Sequence, residues 1–334
     1  MSVLSRPAIL LASATVAASL LVAPSAAFAA DTTTDLTTAG MKAAVAAVEV
    51  ATETAAAQGW TSDLDLSVDL GGTTASGWQT TTTDTEHGLL SAAFAVDGQG
   101  ESKVFLAEGS GTYASAGDDS RTRAALKMMG RSSVGFVFTA DAELTLEHDG
   151  PTPLQLVASS ISAGTKTVHD DGSTDLVFTD STMGTVTLHA DASSVLRSAT
   201  TALKEEDMSL STSVDYGYGP QTVTLPAAGE TIDSATMTKG IAYLDMAGLV
   251  RNAAVSGAAD TRRAFKGAKV KVATLRKLVR NDAAETNYLN GGIEVVKVKN
   301  VTSGVRVWAT NPWTKKTVAY TVKASGKKVL VKKV

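Results

Sequence analysis

The feature that most restricts the fold is a long series of period-two stretches punctuated by Gly and Asp. It opens at Trp60, where Leu64, Leu66, Val68 and Leu70 alternate with Asp63, Asp65 and Asp69 before Gly71-Gly72 turns the chain. Such alternation sets one face of a strand in a core and the other in water, and paired glycines supply the positive-φ positions of a tight turn. The pattern returns over 77–85, 89–97, 102–108, 134–139, 165–169, 175–179, 184–191, 195–202, 208–215 and 221–225, with turns such as Asp97-Gly98 and Asp171-Gly172 between. Consecutive strands joined this closely pair antiparallel, so the expected core is a meander.

Helices frame the meander. The Ala-rich stretch from Leu36 to Gln58 places Met41, Val45, Val48 and Ala55 at helical spacing and stops at Gly59. Two short helices are expected at 118–129 and 153–163, the second with Leu154, Leu156, Val157 and Ile161 on its apolar side; helices inserted in an antiparallel sheet cover one of its faces.

Residues 1–29 read as a cleavable signal peptide: Arg6, an apolar run from Ala8 to Val22, then Pro24 and Ala27-Phe28-Ala29. The run is shorter than the roughly 20 residues of a spanning helix. The expected product is secreted, extracellular or envelope-associated, and no integral membrane protein after cleavage. With no Cys in 334 residues, disulfide scaffolds, thiolate metal sites, cysteine nucleophiles and a lipid-modified cysteine are excluded.

Charge then divides the chain. Residues 31–235 hold 9 Lys/Arg against 29 Asp/Glu, a net of −20, whereas 236–334 hold 20 against 5, a net of +15. An asymmetry of this size suggests separate partners or mutual docking. The domain boundaries expected are therefore 30–235 for an acidic unit and 236–334 for a basic one. The basic unit should begin with a helix from Leu244 to Phe265 and a second over Val272–Val279, followed by strands at 293–299, 305–309, 317–322 and 328–334. Lys297 and Lys299 alternate with Val296 and Val298, and Lys327, Lys328, Lys332 and Lys333 flank Val329–Val331, a pattern that gives a strand surface with a cationic face. These six lysines are the candidate polyanion site, for anionic wall polymers, lipid headgroups or the chain's own acidic unit. Nucleic acid is not an expected partner, since no nucleic-acid-binding motif is present.

The order of signal, N-terminal helix, hairpin meander, Pro-Leu helix (Thr152-Pro153-Leu154-Gln155-Leu156-Val157) and closing run Asp215-Tyr216-Gly217-Tyr218-Gly219-Pro220-Gln221-Thr222-Val223-Thr224-Leu225-Pro226 resembles the LolA-like, LppX/LprG-type envelope proteins of actinobacteria. The resemblance spans residues 36–233. It implies an α+β fold, an unclosed half-barrel of curved antiparallel sheet with helices on its concave side, and a role in carrying a lipid or other long apolar ligand. The family's lipobox cysteine is absent, and the basic unit lies outside the pattern; that unit resembles the soluble half of a type II pilin or pseudopilin without its assembly helix. Under the carrier reading the apolar lining falls to Phe94, Val96, Phe136, Phe138, Leu154, Val157, Phe178 and Leu188, which could equally fill a core. The other reading is a wall-associated or protein-interaction protein with no ligand cavity.

No catalytic residue, cofactor or metal is expected. The histidines His87, His148, His169 and His189 form no H-E-x-x-H or H-x-H pattern. His148-Asp149 and His169-Asp170-Asp171 could pair a base with an orienting carboxylate, but both adjoin Gly turns, where solvated polar residues belong. Asp63, Asp65 and Asp69, or Glu205-Glu206-Asp207, could ligate calcium, though alternating aspartates on a solvent-facing strand need no metal.

Overall fold

The computed structural model describes residues 31–154 and 160–334. Residues 1–29, read as a signal peptide, and Val157 lie outside the described residues; of the expected 153–163 helix, 155–159 lie outside them and 160–163 are not helical. Element order is β1 (Thr32–Leu36), α1 (Thr38–Ala56), β2 (Trp60–Leu70), β3 (Thr73–Asp84), β4 (Leu89–Val96), β5 (Ser102–Ala107), β6 (Gly111–Ser115), α2 (Ser120–Met129), β7 (Phe136–Ala140), α3 (Leu146–Asp149) and β8 (Gly164–Val168). There follow β9 (Thr174–Asp180), β10 (Gly184–Ala190), β11 (Leu196–Glu205), β12 (Met208–Tyr218), β13 (Thr231–Asp233), α4 (Ser234–Leu244), α5 (Met246–Phe265) and α6 (Val272–Leu289). The chain closes with β14 (Lys297–Val301), β15 (Gly304–Thr310), β16 (Thr317–Ser325) and β17 (Lys328–Lys333).

Thirteen strands form one unclosed, curved sheet in the order β1-β8-β9-β10-β11-β12-β2-β3-β4-β5-β6-β7-β13, antiparallel except for the β7–β13 pair. Paired residues share a face, so the register identifies what each face carries. Leu64, Val214, Ala199, Leu188 and Leu176 make one continuous row across β2, β12, β11, β10 and β9. The last four are buried beneath Met41, Val45 and Val48 of α1. Helix α1 starts where Thr37 Oγ1 accepts from Gly40 N–H, and its buried side chains recur at three- and four-residue spacing. Each large side chain buried in this row is worth about 1.5–3 kcal/mol.

Further across, Tyr216, Ser62, Thr81, Ala92, Val104, Ala114, Val137 and Ile232 form a parallel row on the same face. At its far end Val137 and Ile232 pack with Leu126 and Met129 of α2 and Met237 of α4. Helices therefore cover the two ends of one face: α1 over β1, β8, β9 and β11, and α4, with α2 against it, over β7 and β13.

A second sheet, β14-β15-β16-β17, is backed by the α5–α6 hairpin. Val250, Ala254, Leu275, Val279, Val305, Val307 and Val322 are buried at their interface. The Asn287 side chain extends the hydrogen bonding of this unit, accepting from Val295 and Val296 N–H at 3.1 and 2.8 Å and donating to the Val296 carbonyl at 2.9 Å. Helix α4 contributes to both cores, because Met237 faces α2 while Ala242 and Tyr243 join the α5–α6 cluster. Tyr243 meets Trp313 edge-on at 5.9 Å, and Arg121 pairs with Asp245 at 2.6 Å.

Several expected elements differ. Residues 221–225 form no strand: both edges of β12 are already taken by β11 and β2, and Val223 N–H donates to the buried Asp84 carboxylate instead. Strands β1, β6 and β13 were not expected; β1 is TTTDL, without apolar alternation, and exists because the edge of β8 is free to pair with it. The expected 244–265 helix is α5, beginning at Met246; α4, set off from it at Asp245, was not expected, and α6 runs on to Leu289 because Ala283 continues the Leu275–Val279 spacing.

Gly257 sits where α5 crosses α6, and a Cβ there would lie 2.7 Å from Val279 Cα. Gly257→Ala should destabilise the protein by about 1–3 kcal/mol despite alanine's better helix propensity. Urea denaturation checks this; an unchanged or raised midpoint would show that the helices separate freely.

Candidate functional site

Between its two helical covers, no helix among the described residues packs on the helix-side face of the large sheet over β3–β5. Strand β4 presents Leu90, Ala92, Phe94 and Val96 to this face, by the register of Thr83, Thr81, Gln79 and Gly77 opposite them. Leu90 is buried, whereas Phe94 and Val96 are 41% and 43% exposed. From Leu90 to Val96 the strand covers roughly 20 Å. Leu66, Val68, Val104 and Leu106 border the same strip, half-buried.

At the Leu90 end the strip runs into a cavity of about 320 Å³ lined by Ala56 and Ala57 at the end of α1, Trp60, Leu146 and Pro153, with Glu53 and Glu108 at its polar margin. Its roof is the 146–153 segment, held down by a hydrogen bond from Tyr216 Oη to the Pro153 carbonyl at 2.7 Å. Tyr216 is buried against Trp60, ring centroids 6.4 Å apart, and burial pushes its hydroxyl well above the usual phenol range, so it remains a donor. The size is at the lower end of small-molecule sites.

The expected lining residues separate into four groups. Phe94 and Val96 stand on the open strip. Phe178 and Leu188 are buried core beneath α1, and half-buried Leu154 packs at its edge. Phe136 and Phe138 flank Val137 and so point to the opposite face, where Phe136 meets Phe105 at 5.5 Å and Phe138 meets Tyr113 at 4.7 Å. Val157 lies outside the described residues.

That opposite face carries a second concavity that the sequence did not signal. Its two walls are the rows Thr200–Ser213–Asp65–Trp78–Ala95 and Ala202–Ser211–Ser67–Ser76–Asp97, enclosing about 750 Å³. Asp97 accepts from Ser76 N–H and Oγ, which lowers its pKa. Only the pairing of β11, β12, β2, β3 and β4 brings these scattered hydroxyls together. Nearby, Asp69 closes the hairpin turn by accepting from Gly72 N–H at 3.0 Å and Thr74 Oγ1 at 3.2 Å.

Two histidines converge on one carboxylate. His169 Nε2 and His189 Nδ1 lie 3.0 and 2.7 Å from the two oxygens of Asp175, and His169 Nδ1 lies 3.1 Å from Asp31. His169 thus pairs with Asp175 and Asp31 rather than with its sequence neighbours Asp170 and Asp171. The cluster fastens the chain entering β1 to β8, β9 and β10. Hydrogen bonds to Asp175 and then Asp31 raise the His169 pKa; Asp175 is lowered, its burial outweighed by the bonds from His189 and His169. At the other end of β3, Asp84 is lowered chiefly by its bond to His87, which is raised in turn.

Of the six candidate lysines, Lys297, Lys299, Lys328 and Lys332 fall on the outer face of the second sheet. Lys333 pairs with Tyr320 on the helix-backed face, and Lys327 sits in the β16–β17 turn.

No protein-family model matches the chain, and no curated protein matches it. Solved structures similar to part of it include an uncharacterised conserved protein from Thermus thermophilus, at 10% identity and a TM-score of 0.30, covering 57% of this chain and 98% of that one. A LolA superfamily protein from Nitrosomonas europaea aligns at 10% identity and a TM-score of 0.24, over 54% of this chain and 94% of that one. A putative outer membrane lipoprotein-sorting protein domain from Vibrio parahaemolyticus aligns at 10% and 0.19, over 52% and 93%.

Because His169 is raised, its ion pairs stabilise the folded state fully below the unfolded histidine value near 6.5 and lose that contribution as pH rises through the higher folded value. Amide exchange of Thr32–Leu36 should accelerate, beyond the intrinsic pH dependence, as pH rises through that value, and His169→Gln should abolish the excess. An excess that persists in the variant would place the titration elsewhere.

Proposed function

We propose that this chain is a secreted, non-catalytic binding protein that carries a lipid or another long apolar molecule outside the cytoplasmic membrane. The observation that carries the reading is the β4 stripe, which leads from the open-mouthed pocket at Trp60 and Leu90 to exposed Phe94 and Val96 on the helix-side face. An exposed Phe and Val on one strand of this face leave apolar area in water that an acyl chain would cover, at about 25 cal/mol per Å². The cavity takes the chain's end and the open strip its remainder, with Glu53 and Glu108 at the polar margin of the cavity. Among the described residues no helix is long and apolar enough to cross a membrane.

The experiment is titration of the mature chain with a fluorescent sixteen-carbon fatty acid, alongside native mass spectrometry of protein purified without detergent. Saturable binding is expected, weakened at least ten-fold by Phe94→Asp and Val96→Asp. Both positions are exposed, so these variants should keep the wild-type melting temperature. No binding, or binding indifferent to both substitutions, would overturn the carrier reading in favour of an interaction protein with no ligand cavity.

A further inference from the structure

The outer face of the second sheet is unusual in both charge and apolarity. Strand alternation and register put Lys297, Lys299, Arg306, Lys323, Lys328 and Lys332 on it together, across all four strands. After Glu294 the sequence has no further Asp or Glu, so nothing on these strands neutralises them. None of the six enters an ion pair among the described residues, whose ion pairs lie elsewhere. Contact with the large sheet runs through α2, α4 and Trp313, which leaves this face turned to solvent.

Apolar groups stand among the cations. Leu330 pairs with Lys323 on this face and is 51% exposed; Val334, two residues beyond Lys332, is 62% exposed. Trp308 lies half-buried in the middle, paired with Lys297, with Lys299 Nζ at 5.6 Å and the Arg306 guanidinium at 5.9 Å from its ring centre. A partner that only needed charge would leave Leu330 and Val334 in water. A lipid surface meets both demands: anionic headgroups for the six cations, and the acyl boundary for the leucine, the valine and the indole edge.

We propose that this face docks the protein peripherally on an anionic lipid bilayer. The cations supply long-range attraction, about five-fold in partitioning for each lysine near the surface, and Leu330 with Val334 supplies the short-range contact. Docking of this kind is independent of whether the β4 strip holds a ligand, since no residue is shared.

The test is co-sedimentation of the full mature chain, with no apolar ligand added, on vesicles of 30% phosphatidylglycerol in phosphatidylcholine and on phosphatidylcholine alone, at 50 and 500 mM NaCl. Binding to the anionic vesicles is expected at low salt, with at least ten-fold less on neutral vesicles or at high salt. The Trp308 environment should become more apolar on binding. The double variant Lys299→Glu/Lys332→Glu should weaken binding at least ten-fold, and Leu330→Asp several-fold, with melting temperatures unchanged because all three sites are exposed. Absence of vesicle binding, or equal binding to both vesicle types, would overturn the proposal. So would binding that is indifferent to Leu330→Asp and fully competed by soluble polyphosphate, which would make the face a site for soluble polyanions. Fatty-acid titration reads the β4 strip separately, so either proposal can fail without the other.

Discussion

The burial of one sheet face under α1 is the constraint on which the rest of the large unit depends. Leu176, Leu188, Ala199 and Val214 come from four different strands and meet Met41, Val45 and Val48 only if every intervening hairpin keeps its register. A slip of one residue in any of them would turn that strand's apolar set to water. Fixing this register fixes the other rows as well, and with them the β4 strip, the Ser/Thr-lined outer concavity and the placement of Asp175 between two histidines.

Among the described residues the helical cover leaves part of this face exposed, and that part has a chemistry of its own. Beneath α1 the apolar side chains of β9–β12 are buried against it, and at β7 and β13 Val137 and Ile232 pack against α2 and α4. Between them Phe94 and Val96 are left uncovered and the 146–153 segment roofs a cavity against Trp60. The buried Tyr216 hydroxyl ties that roof to the sheet through Pro153, so the cavity and the core share one hydrogen bond. The second sheet has the opposite electrostatic character: its inner face is sealed by α5 and α6, while its outer face collects cations.

Elements with strong local signals were legible in the sequence. The Leu64–Leu70 alternation ending in Gly71-Gly72 gave β2 and its hairpin, and the Met41–Val45–Val48 spacing gave α1, because each pattern repeats with the period of the element that carries it. Elements completed by a neighbour's free edge were not legible: TTTDL in β1 and GTYAS in β6 carry strand-favouring Thr and Tyr but are short and lack apolar alternation, and they pair because a free strand edge lies beside them. The candidate site divided in the same way. Phe94, Val96, Phe178 and Leu188 all lie on the helix-side face, as apolar residues in alternating strands suggest, but which of them are covered depends on where helices distant in sequence come to rest.

By itself the sequence determined the period-two architecture, the absence of sulfur chemistry, the charge division between the two units and the cationic alternation near the C-terminus, because these depend only on composition and local spacing. Tertiary structure alone decided that His169 pairs with Asp31 and Asp175 and that Phe136 and Phe138 turn away from the helices. It also decided that Lys333 faces α5 and α6 while Lys323 and Arg306 join the outer face. The physical reason is common to all of them: which side of a strand is buried, and which distant groups meet across it, is set by pairing register and helix placement, and those arise from packing summed over the whole sheet.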